Sequence, residues 1–227
     1  MEWDLISNWL QASTNEAILD VGCADGFYTR KLARRRCNAL GIELDKDAVR
    51  LACRHESTRG IEFLIGDAQK LPIKGESLDK IILVSVLEHI PNDDYTLKEI
   101  ARVLKAGGCL VMSLDSLSHK TTSDLMRERH RKRHRVKTFY TIPSIRKKLK
   151  RNGLHLERGQ YILSSRLSNM FLKLRHAHIT FPIAYPLSKV SDRFSSGEEG
   201  GAMLVVKARK NKCNCHKRAN ILHSTID

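Results

Sequence analysis

Strand-length apolar segments alternate with helical patterns through the first half of the sequence, and this alternation constrains the fold more than any other feature. The apolar segments lie at 17–21, 39–42, 61–65, 80–86 and 108–114. The helical patterns lie at 27–36, 46–57 and 93–105. Because continuous apolar strands that alternate with helices are typical of a parallel sheet covered on both faces, we predict an α/β fold. Ligands of such sheets bind at the carboxyl ends of the strands.

The second half of the sequence is less regular. We predict a helix at 141–152, with Pro143 in its first turn and Gly153 after its end, because proline is tolerated at a helix start and glycine stops a helix. A strand is predicted at 154–163, and a loosely amphipathic stretch follows at 164–178.

We predict that one domain accounts for most of the chain. Its parts are a cofactor-binding core at 1–118, basic acceptor-binding or lid insertions at about 119–199 and a last strand at about 201–209, which together make a domain over 1–210. Residues 211–227 are polar and basic, and we expect them to form a disordered tail.

The positive charge is concentrated in the second half. The 227 residues carry a formal net charge of +15, of which residues 1–120 contribute −2 and residues 121–227 contribute +17. From Arg127 to Arg151 there are twelve lysines or arginines and one acid, Glu128. A nearly neutral core is thus predicted to carry a basic surface for an anionic partner: a nucleic acid, a phospholipid face or an acidic acceptor.

The sequence gives no sign of export or of a metal site. No apolar run approaches the roughly 18 residues of a membrane span, and the first residues, MEWDLISNWL, lack the pattern of a signal peptide. We therefore expect a cytoplasmic protein, in one version peripheral at the membrane surface. Cys213, Cys215 and His216 lack the spacing and the second ligand pair of a zinc site, so no metal is predicted.

The turn after the first strand has an unusual composition. In AILDVGCADG, Asp20 is followed by Gly22, Ala24 and Gly26 in alternation, and Asp25 lies inside the turn. Small residues after a strand are typical of a turn that a polar ligand approaches closely, but acids there would repel a pyrophosphate and favour a cation. Glu43 ends the second strand, where a carboxylate can accept hydrogen bonds from ribose hydroxyls. A ligand with adenosine at one end and a positive group at the other is predicted.

These motifs resemble those of the class I S-adenosylmethionine-dependent methyltransferases, in particular the type-11 group that includes the ubiquinone and menaquinone methyltransferases. The matching segments are DVGCADG, GIELD, GDA followed by LPIKGESLDKI, VLEHI and EIARVLKAGG, which occur in family order over residues 17–114. One departure is Ala24, which replaces the middle glycine of the family loop. The resemblance implies a Rossmann-like sheet of seven mostly parallel strands, with helices on both faces and an antiparallel last strand.

The resemblance also implies S-adenosyl-L-methionine as cofactor and a set of residues that bind it. The turn 22–26 would pass under the methionine part with its backbone N–H groups free for the carboxylate, and Glu43 would hold the ribose. Asp67 would accept from the adenine amine, and Leu44 would pack on the ring. The full predicted set is Asp20, Gly22, Cys23, Ala24, Gly26, Tyr28, Glu43, Leu44, Asp67, Ala68 and Ser85.

The acceptor side is less defined by the sequence. The candidates for catalysis are Glu88 and His89 after the fourth strand and His134 and Tyr140 in HRVKTFYT, with His89 alternatively a packing or capping residue. The chain lacks the [DN]-P-P-[YF] motif of enzymes that methylate base or amide nitrogens. It also lacks the proline–cysteine pair of the enzymes that form 5-methylcytosine. Oxygen or carbon of a small hydrophobic or amphiphilic acceptor, of quinone, lipid or natural-product type, is therefore favoured.

Three interpretations of the whole chain stay open. The preferred one places the basic half on an anionic membrane, because the segment 168–187 interleaves aromatic and aliphatic residues with basic ones and could form a lid for a membrane-dissolved acceptor. In the second, the same basic residues grip tRNA or rRNA phosphates. In the third, the chain binds the cofactor without catalysis. Nothing in the sequence indicates the oligomeric state.

Overall fold

The computed structural model describes residues 2–55, 61–120, 122–163 and 200–211. Its helices are α1 (Glu2–Leu10), α2 (Phe27–Ala33), α3 (Lys46–Arg54), α4 (Asp93–Val103), α5 (Asp124–His134) and α6 (Ile142–Arg151). Its strands are β1 (Ala17–Val21), β2 (Asn38–Glu43), β3 (Glu62–Ile65), β4 (Leu78–Val84), β5 (Leu104–Asp115), β6 (Leu154–Ile162) and β7 (Met203–Lys210). The predictions for 164–178, 168–187 and the tail after residue 211 lie outside the described residues.

The seven strands form one sheet in the order β3-β2-β1-β4-β5-β7-β6. Neighbouring strands from β3 to β5 are parallel, whereas β7 runs antiparallel to both β5 and β6. The predicted Rossmann-like fold with an antiparallel last strand is thereby confirmed. The strand order reverses between β1 and β4, and a crevice forms at the carboxyl ends of the strands at such a point. We call the carboxyl ends of β1 to β5 the crest.

Both faces of the sheet are buried, which explains the continuous apolar strands. Ile18 of β1 packs on one face with Ile6 of α1 and Leu32 of α2. The next residue, Leu19, points to the opposite face and packs with Leu97 of α4. Successive strand side chains alternate between faces, so apolar residues are favoured at consecutive positions of a central strand. Full burial of each such side chain contributes about 1.5–3 kcal/mol.

Local signals account for the starts of two helices near the crest. Asp45 caps α3 by accepting a hydrogen bond from the Asp47 backbone N–H. Thr141 and Ser144 form a reciprocal capping box at the start of α6. Pro143 lies in the first turn of α6, as predicted. The first residue of each helix is thus set by a side chain that satisfies a free N–H group.

Two boundaries differ from the sequence-based expectation. The fourth strand ends at Val84 rather than at residue 86, because Ser85 adopts a left-handed conformation with φ of 54°. The fourth helix ends at Val103 rather than at residue 105, and β5 begins at Leu104 rather than at residue 108. Gly107, with φ of 77°, lies within β5, where the register against β4 shifts. This glycine therefore accommodates a bulge in the strand.

The basic segment after β5 folds as α5, which has no buried side chain. Ser123 caps its first turn, and Arg135 ends it in a left-handed conformation with φ of 55°. Within the described ranges, none of the helices has the length and apolar character that a membrane span requires.

Candidate functional site

The glycine-spaced turn follows β1 at the centre of the crest. Gly22, Ala24 and Gly26 all have left-handed backbones, with φ of 71°, 47° and 78°. A Cβ on Gly22 would lie 2.5 Å from the Val86 side chain, and one on Gly26 would lie 2.6 Å from the Phe63 ring. Backbone conformation and packing thus require small residues here, independently of the room that a cofactor needs.

Most backbone N–H groups of this turn already have acceptors, contrary to the expectation that they are free. Gly22 and Cys23 both donate to the Ile42 carbonyl, at 2.8 and 3.1 Å, and Gly26 donates to the Cys23 carbonyl at 2.8 Å. Ala24 donates to Glu43 Oε2 at 3.1 Å. The turn is therefore held to β2 by its own backbone. The Cys23 thiol is buried, and burial raises its pKa to about 12.

Asp20 lies beneath the turn and is almost fully buried. Its Oδ2 accepts a hydrogen bond from the Thr29 hydroxyl at 2.6 Å, which ties β1 to the first turn of α2. Burial raises the pKa of this carboxyl to about 7. Sequence reasoning missed both Thr29 and the buried Arg30, whose Nη1 donates to the Asp25 carbonyl at 2.6 Å. Thr29 and Arg30 are hard to single out from the sequence, because polar residues in a first helical turn are common.

Glu43 lies at the end of β2 with its carboxylate at the crest. Oε1 accepts from the backbone N–H groups of Leu44 and Asp45 at 2.7 and 3.0 Å, and Oε2 accepts from Ala24. Beside it, the Leu44 side chain is 69% exposed and Ile65 at the end of β3 is 59% exposed. An anchored carboxylate between exposed apolar side chains suits a ribose with a flat ring attached.

Asp67 and Ala68 follow β3 on the same side of the crest. Asp67 Oδ1 accepts from the Gln69 backbone N–H at 2.8 Å, so a local turn orients the carboxylate. Ala68 is half-buried against the core. Within the part of the chain that the structure describes, its N–H has no hydrogen-bond partner and is available to a ligand.

Ser85 and Tyr28 complete the predicted cofactor set. The Ser85 N–H donates to the Ser113 carbonyl at 3.2 Å, which joins the ends of β4 and β5. Tyr28 is half-buried, and its ring stacks on Trp3 of α1 with centroids 5.2 Å apart. Burial raises the pKa of the Tyr28 hydroxyl to about 12.

The crest fits the expected cofactor. Glu43 can hold a ribose, the Ala68 N–H can meet a ring nitrogen, and Leu44 can cover the adenine face. Asp20 lies under the turn, where it favours a positive group. Because these N–H groups are engaged, other donors would have to bind the methionine carboxylate. Arg30 donates to the Asp25 carbonyl of the same turn and is a candidate for that role.

Glu88 and His89, adjacent in sequence, lie in different environments. Glu88 is fully buried in the 3₁₀ turn Leu87–His89 and accepts from the Asp115 backbone N–H at 3.1 Å. Its second oxygen has no hydrogen-bond partner among the described residues. Burial raises the pKa of Glu88 to about 8, and the charges of Asp115 and Glu2 add to the rise. His89 is exposed on the same turn.

The structure corrects the prediction that Tyr140 lies at the rim of the site. Tyr140 is fully buried, and its hydroxyl donates to Asp93 in the core. Burial also raises the pKa of its hydroxyl. The Asp93 carboxylate additionally receives Lys148 Nζ at 2.6 Å. Tyr140 therefore anchors the segment before α6 and does not face an acceptor.

The other predicted acceptor residue, His134, is exposed at the end of α5. Its ring centroid is 4.5 Å from that of His130, and His130 Nε2 lies 2.8 Å from Asp115 Oδ2 at the end of β5. Sequence reasoning missed Asp115 and Glu2, which the fold brings close to Glu88. No local pattern relates residues so far apart in the chain.

Comparison with known proteins agrees with this geometry. A sequence profile of the methyltransferase domain matches residues 19–112. A fatty-acid O-methyltransferase from Mycolicibacterium smegmatis is 37% identical over 93 residues, which are 40% of this chain and 34% of that protein. A ubiquinone biosynthesis O-methyltransferase from Ralstonia nicotianae is 28% identical over 113 residues, 47% of each chain. A crystal structure of an S-adenosylmethionine-dependent methyltransferase from Mesorhizobium loti has a TM-score of 0.70 at 18% identity, covering 92% of this chain and 97% of that one.

The matched segments cover 34% and 47% of the two curated relatives, so the chain spans a third to a half of their length. The crystal structure, at 18% identity, supports the fold alone. The profile match ends within β5 and takes in every motif of the crest. The cofactor of such domains is S-adenosylmethionine, which the residues of the crest fit. Over residues 19–112, the chain is therefore similar to the methyltransferase domain of the class I S-adenosylmethionine-dependent enzymes of the type-11 group.

Proposed function

We propose that the chain is an S-adenosylmethionine-dependent methyltransferase that acts on an oxygen or carbon of a small hydrophobic or amphiphilic acceptor. The observation that carries the proposal is the crest itself, where an anchored carboxylate, Glu43, lies between exposed apolar side chains and a turn with buried Asp20 beneath it. The two curated relatives support an oxygen acceptor, since both are O-methyltransferases by name.

Positioning accounts for most of the proposed catalysis. The cofactor supplies a methyl group on a sulfonium, which is already an activated leaving group. Glu43 and Leu44 fix the nucleoside, and the turn 22–26 limits where the reactive end can lie. An acceptor held about 3 Å from the methyl carbon and in line would gain several kcal/mol from effective molarity alone. The ends of β4 and β5 are the part of the crest left for that acceptor.

A methyl-transfer assay on extracted acceptors tests the proposed function. The protein is incubated with tritiated S-adenosylmethionine and separate total extracts of lipids, small molecules and RNA. We expect label in organic-soluble material, and none with a Glu43→Ala variant. Label in RNA would instead support the tRNA or rRNA alternative. If the cofactor binds but no extract takes label, the non-catalytic interpretation is favoured.

We also propose that α5 docks on an anionic membrane surface, which would place the protein in the cytoplasm at the membrane periphery. All its side chains are at least partly exposed, and Leu125, 61% exposed, lies beside the basic residues. Basic residues near an anionic surface contribute about 1 kcal/mol each. A basic helix that also exposes an apolar side chain is typical of interfacial binding.

Neutralising α5 should release the protein from vesicles. We expect the triple variant Arg129→Gln, Lys132→Gln, Arg135→Gln to lose about fivefold in partitioning per residue on phosphatidylserine vesicles in a flotation assay. The matched control changes Arg34, Arg36 and Arg54 to Gln, since these precede the amino ends of β2 and β3, whereas α5 lies beside the carboxyl end of β5. Equal losses in both variants, or tighter binding to tRNA than to vesicles at the same salt concentration, would contradict membrane docking.

A further inference from the structure

Four ionisable side chains from four different elements meet at the carboxyl ends of β4 and β5. Glu88 comes from the 3₁₀ turn after β4, and Asp115 is the last residue of β5. His130 comes from α5 and meets Asp115 at 2.8 Å. Glu2 of α1 lies beside the Ser113 side chain and within electrostatic reach of Asp115. We call these four residues the acid cluster.

The acid cluster borders the cofactor end of the crest. Burial raises the pKa of the Tyr28 hydroxyl, and the charges of Glu2 in the cluster and of Asp20 below the turn add to the rise. Ser85, which follows β4, donates to the backbone carbonyl of Ser113, two residues before Asp115. The cluster therefore occupies the part of the crest where an acceptor would meet the methyl group.

Two buried oxygens of the cluster have no hydrogen-bond partner in the part of the chain that the structure describes. Glu88 Oε2 and Glu2 Oε1 are both inaccessible to solvent and unpaired among the described residues. Glu88 is fully buried, and only its Oε1 is engaged, by the Asp115 N–H. Buried polar atoms are paired in the great majority of cases, because an unpaired one is costly. A proton on each oxygen, or a hydrogen bond donated by a ligand, would remove this cost.

We infer that the acid cluster is the acceptor end of the site and that it takes an uncharged hydroxyl compound, an alcohol or a phenol, rather than an acceptor that arrives as a carboxylate. This inference rests on the proposed methyltransferase function. The Asp115 carboxylate repels an anion at close range, whereas the oxygen of a neutral hydroxyl compound can hydrogen-bond to Glu88. Burial also raises the pKa of Glu88, so that its proton can be shared with the acceptor oxygen.

Three basic residues of α5 pair with acids of the same helix. Arg127 pairs with Asp124 on the same helix, and Arg131 and Lys132 pair with Glu128. The member of α5 that meets the cluster is His130, whose side chain is 30% exposed, while that of Asp115 is 15% exposed. A hydroxyl acceptor could thus enter from the side of α5.

His130 and Asp115 provide a route for the hydroxyl proton. In the tautomer whose Nε2 donates to Asp115, Nδ1 carries a lone pair and can accept a proton. The acceptor oxygen then forms a bond to the methyl carbon as the methyl–sulfur bond breaks, and the sulfonium becomes a neutral thioether. The proton moves from the hydroxyl to Nδ1, and Asp115 stabilises the resulting imidazolium. Asp115 is a positioning residue in this scheme, because it acts through His130.

A binding experiment tests the acceptor class without relying on turnover. The protein is saturated with S-adenosylhomocysteine and titrated by calorimetry with 4-butylphenol and with 4-butylbenzoate, which differ in charge but hardly in shape. We expect the phenol to bind at least about tenfold more tightly, and the double variant Glu88→Gln, Asp115→Asn to lose most of this preference. Equal affinities, tighter binding of the benzoate or no binding of either probe would overturn the inference.

A kinetic experiment tests the proton route. Methyl transfer to 4-butylphenol is compared with transfer to a ring-fluorinated butylphenol that is already ionised at neutral pH. We expect His130→Ala to lower kcat for the first at least about 100-fold and for the second less than about fivefold, since only the first needs a base. His155→Ala, an exposed histidine on β6, serves as the control.

Equal losses for the two phenols, or transfer to neither, would overturn the role of His130. The failure of the proposed function would look different. In that case S-adenosylhomocysteine would not bind, or no extract would take label, whatever the order of affinities for the two probes.

Discussion

Replacing Glu43 by alanine is expected to weaken S-adenosylmethionine binding by about 30- to 150-fold, which corresponds to about 2–3 kcal/mol. The carboxylate is held at the crest by three backbone N–H groups, those of Ala24, Leu44 and Asp45. Its position is therefore set before a ligand arrives, and a ribose could form two charge-assisted hydrogen bonds with it at little ordering cost. Isothermal titration calorimetry measures the loss directly.

Two controls separate binding from folding in this experiment. Glu43→Gln keeps the shape of the side chain and removes the charge, so an intermediate loss of affinity is expected. Glu62→Ala removes an exposed acid at the other end of β3 and should leave the affinity unchanged. Thermal unfolding of each variant reports whether the crest survives the substitution. Unchanged affinity of a folded Glu43→Ala protein would show that the ribose lies elsewhere.

The free energy of unfolding should fall by several kcal/mol as the pH rises from 5 to 8. Burial raises the pKa of Asp20 from 3.8 to about 7 and that of Glu88 from 4.5 to about 8. The folded protein therefore binds these protons more tightly than the unfolded chain. Their contribution is full below the unfolded pKa values and is lost as the pH rises to the folded ones, at about 1.4 kcal/mol per pH unit for each group.

Other acids oppose this trend at low pH. Hydrogen bonds from Asn152 and Arg102 lower the pKa values of Asp94 and Glu99, respectively, so the stability that these carboxylates contribute is lost as the pH falls below about 4. A maximum of stability near pH 5 is the expected result.

Urea unfolding at several pH values measures this curve. Glu88→Gln should flatten the decline between pH 5 and 8, because the amide cannot ionise, whereas Asp124→Asn should not, because its side chain is 98% exposed. A curve that stays flat or rises up to pH 8 in the unmodified protein would contradict the burial of uncompensated acids at the crest.

The sequence predicted the cofactor end in some detail. The parallel strands, the turn after β1 and the acid after β2 were all expected, and the structure places Glu43, Leu44, Asp67 and Ala68 on one side of the crest. The prediction for the turn after β1 was incomplete in one respect. The N–H groups expected to be free donate to Ile42, Cys23 and Glu43, since a turn that reverses so tightly satisfies its own backbone.

The acceptor end shows the limit of pattern reasoning. Tyr140 looked like a rim residue because an aromatic motif ended there, but the extended segment before α6 turns its side chain into the core, where Asp93 accepts its hydroxyl. The VLEHI motif identified Glu88 as a candidate, but it did not predict that Glu88 is buried. The motif identifies the residue, whereas the packing of β5 and α1 around it leaves one of its oxygens without a hydrogen-bond partner among the described residues.

By itself, the sequence determined the class of fold and the cofactor end, because their signals are local. Strand periodicity and a strand–turn–helix motif each lie within about a dozen consecutive residues, and short-range sterics and hydrogen bonding act at that range. Only the tertiary structure decided the acceptor end. Glu2, Glu88, Asp115 and His130 meet through sheet pairing and helix packing, and burial, which has no local code, raises the pKa values of Glu2 and Glu88.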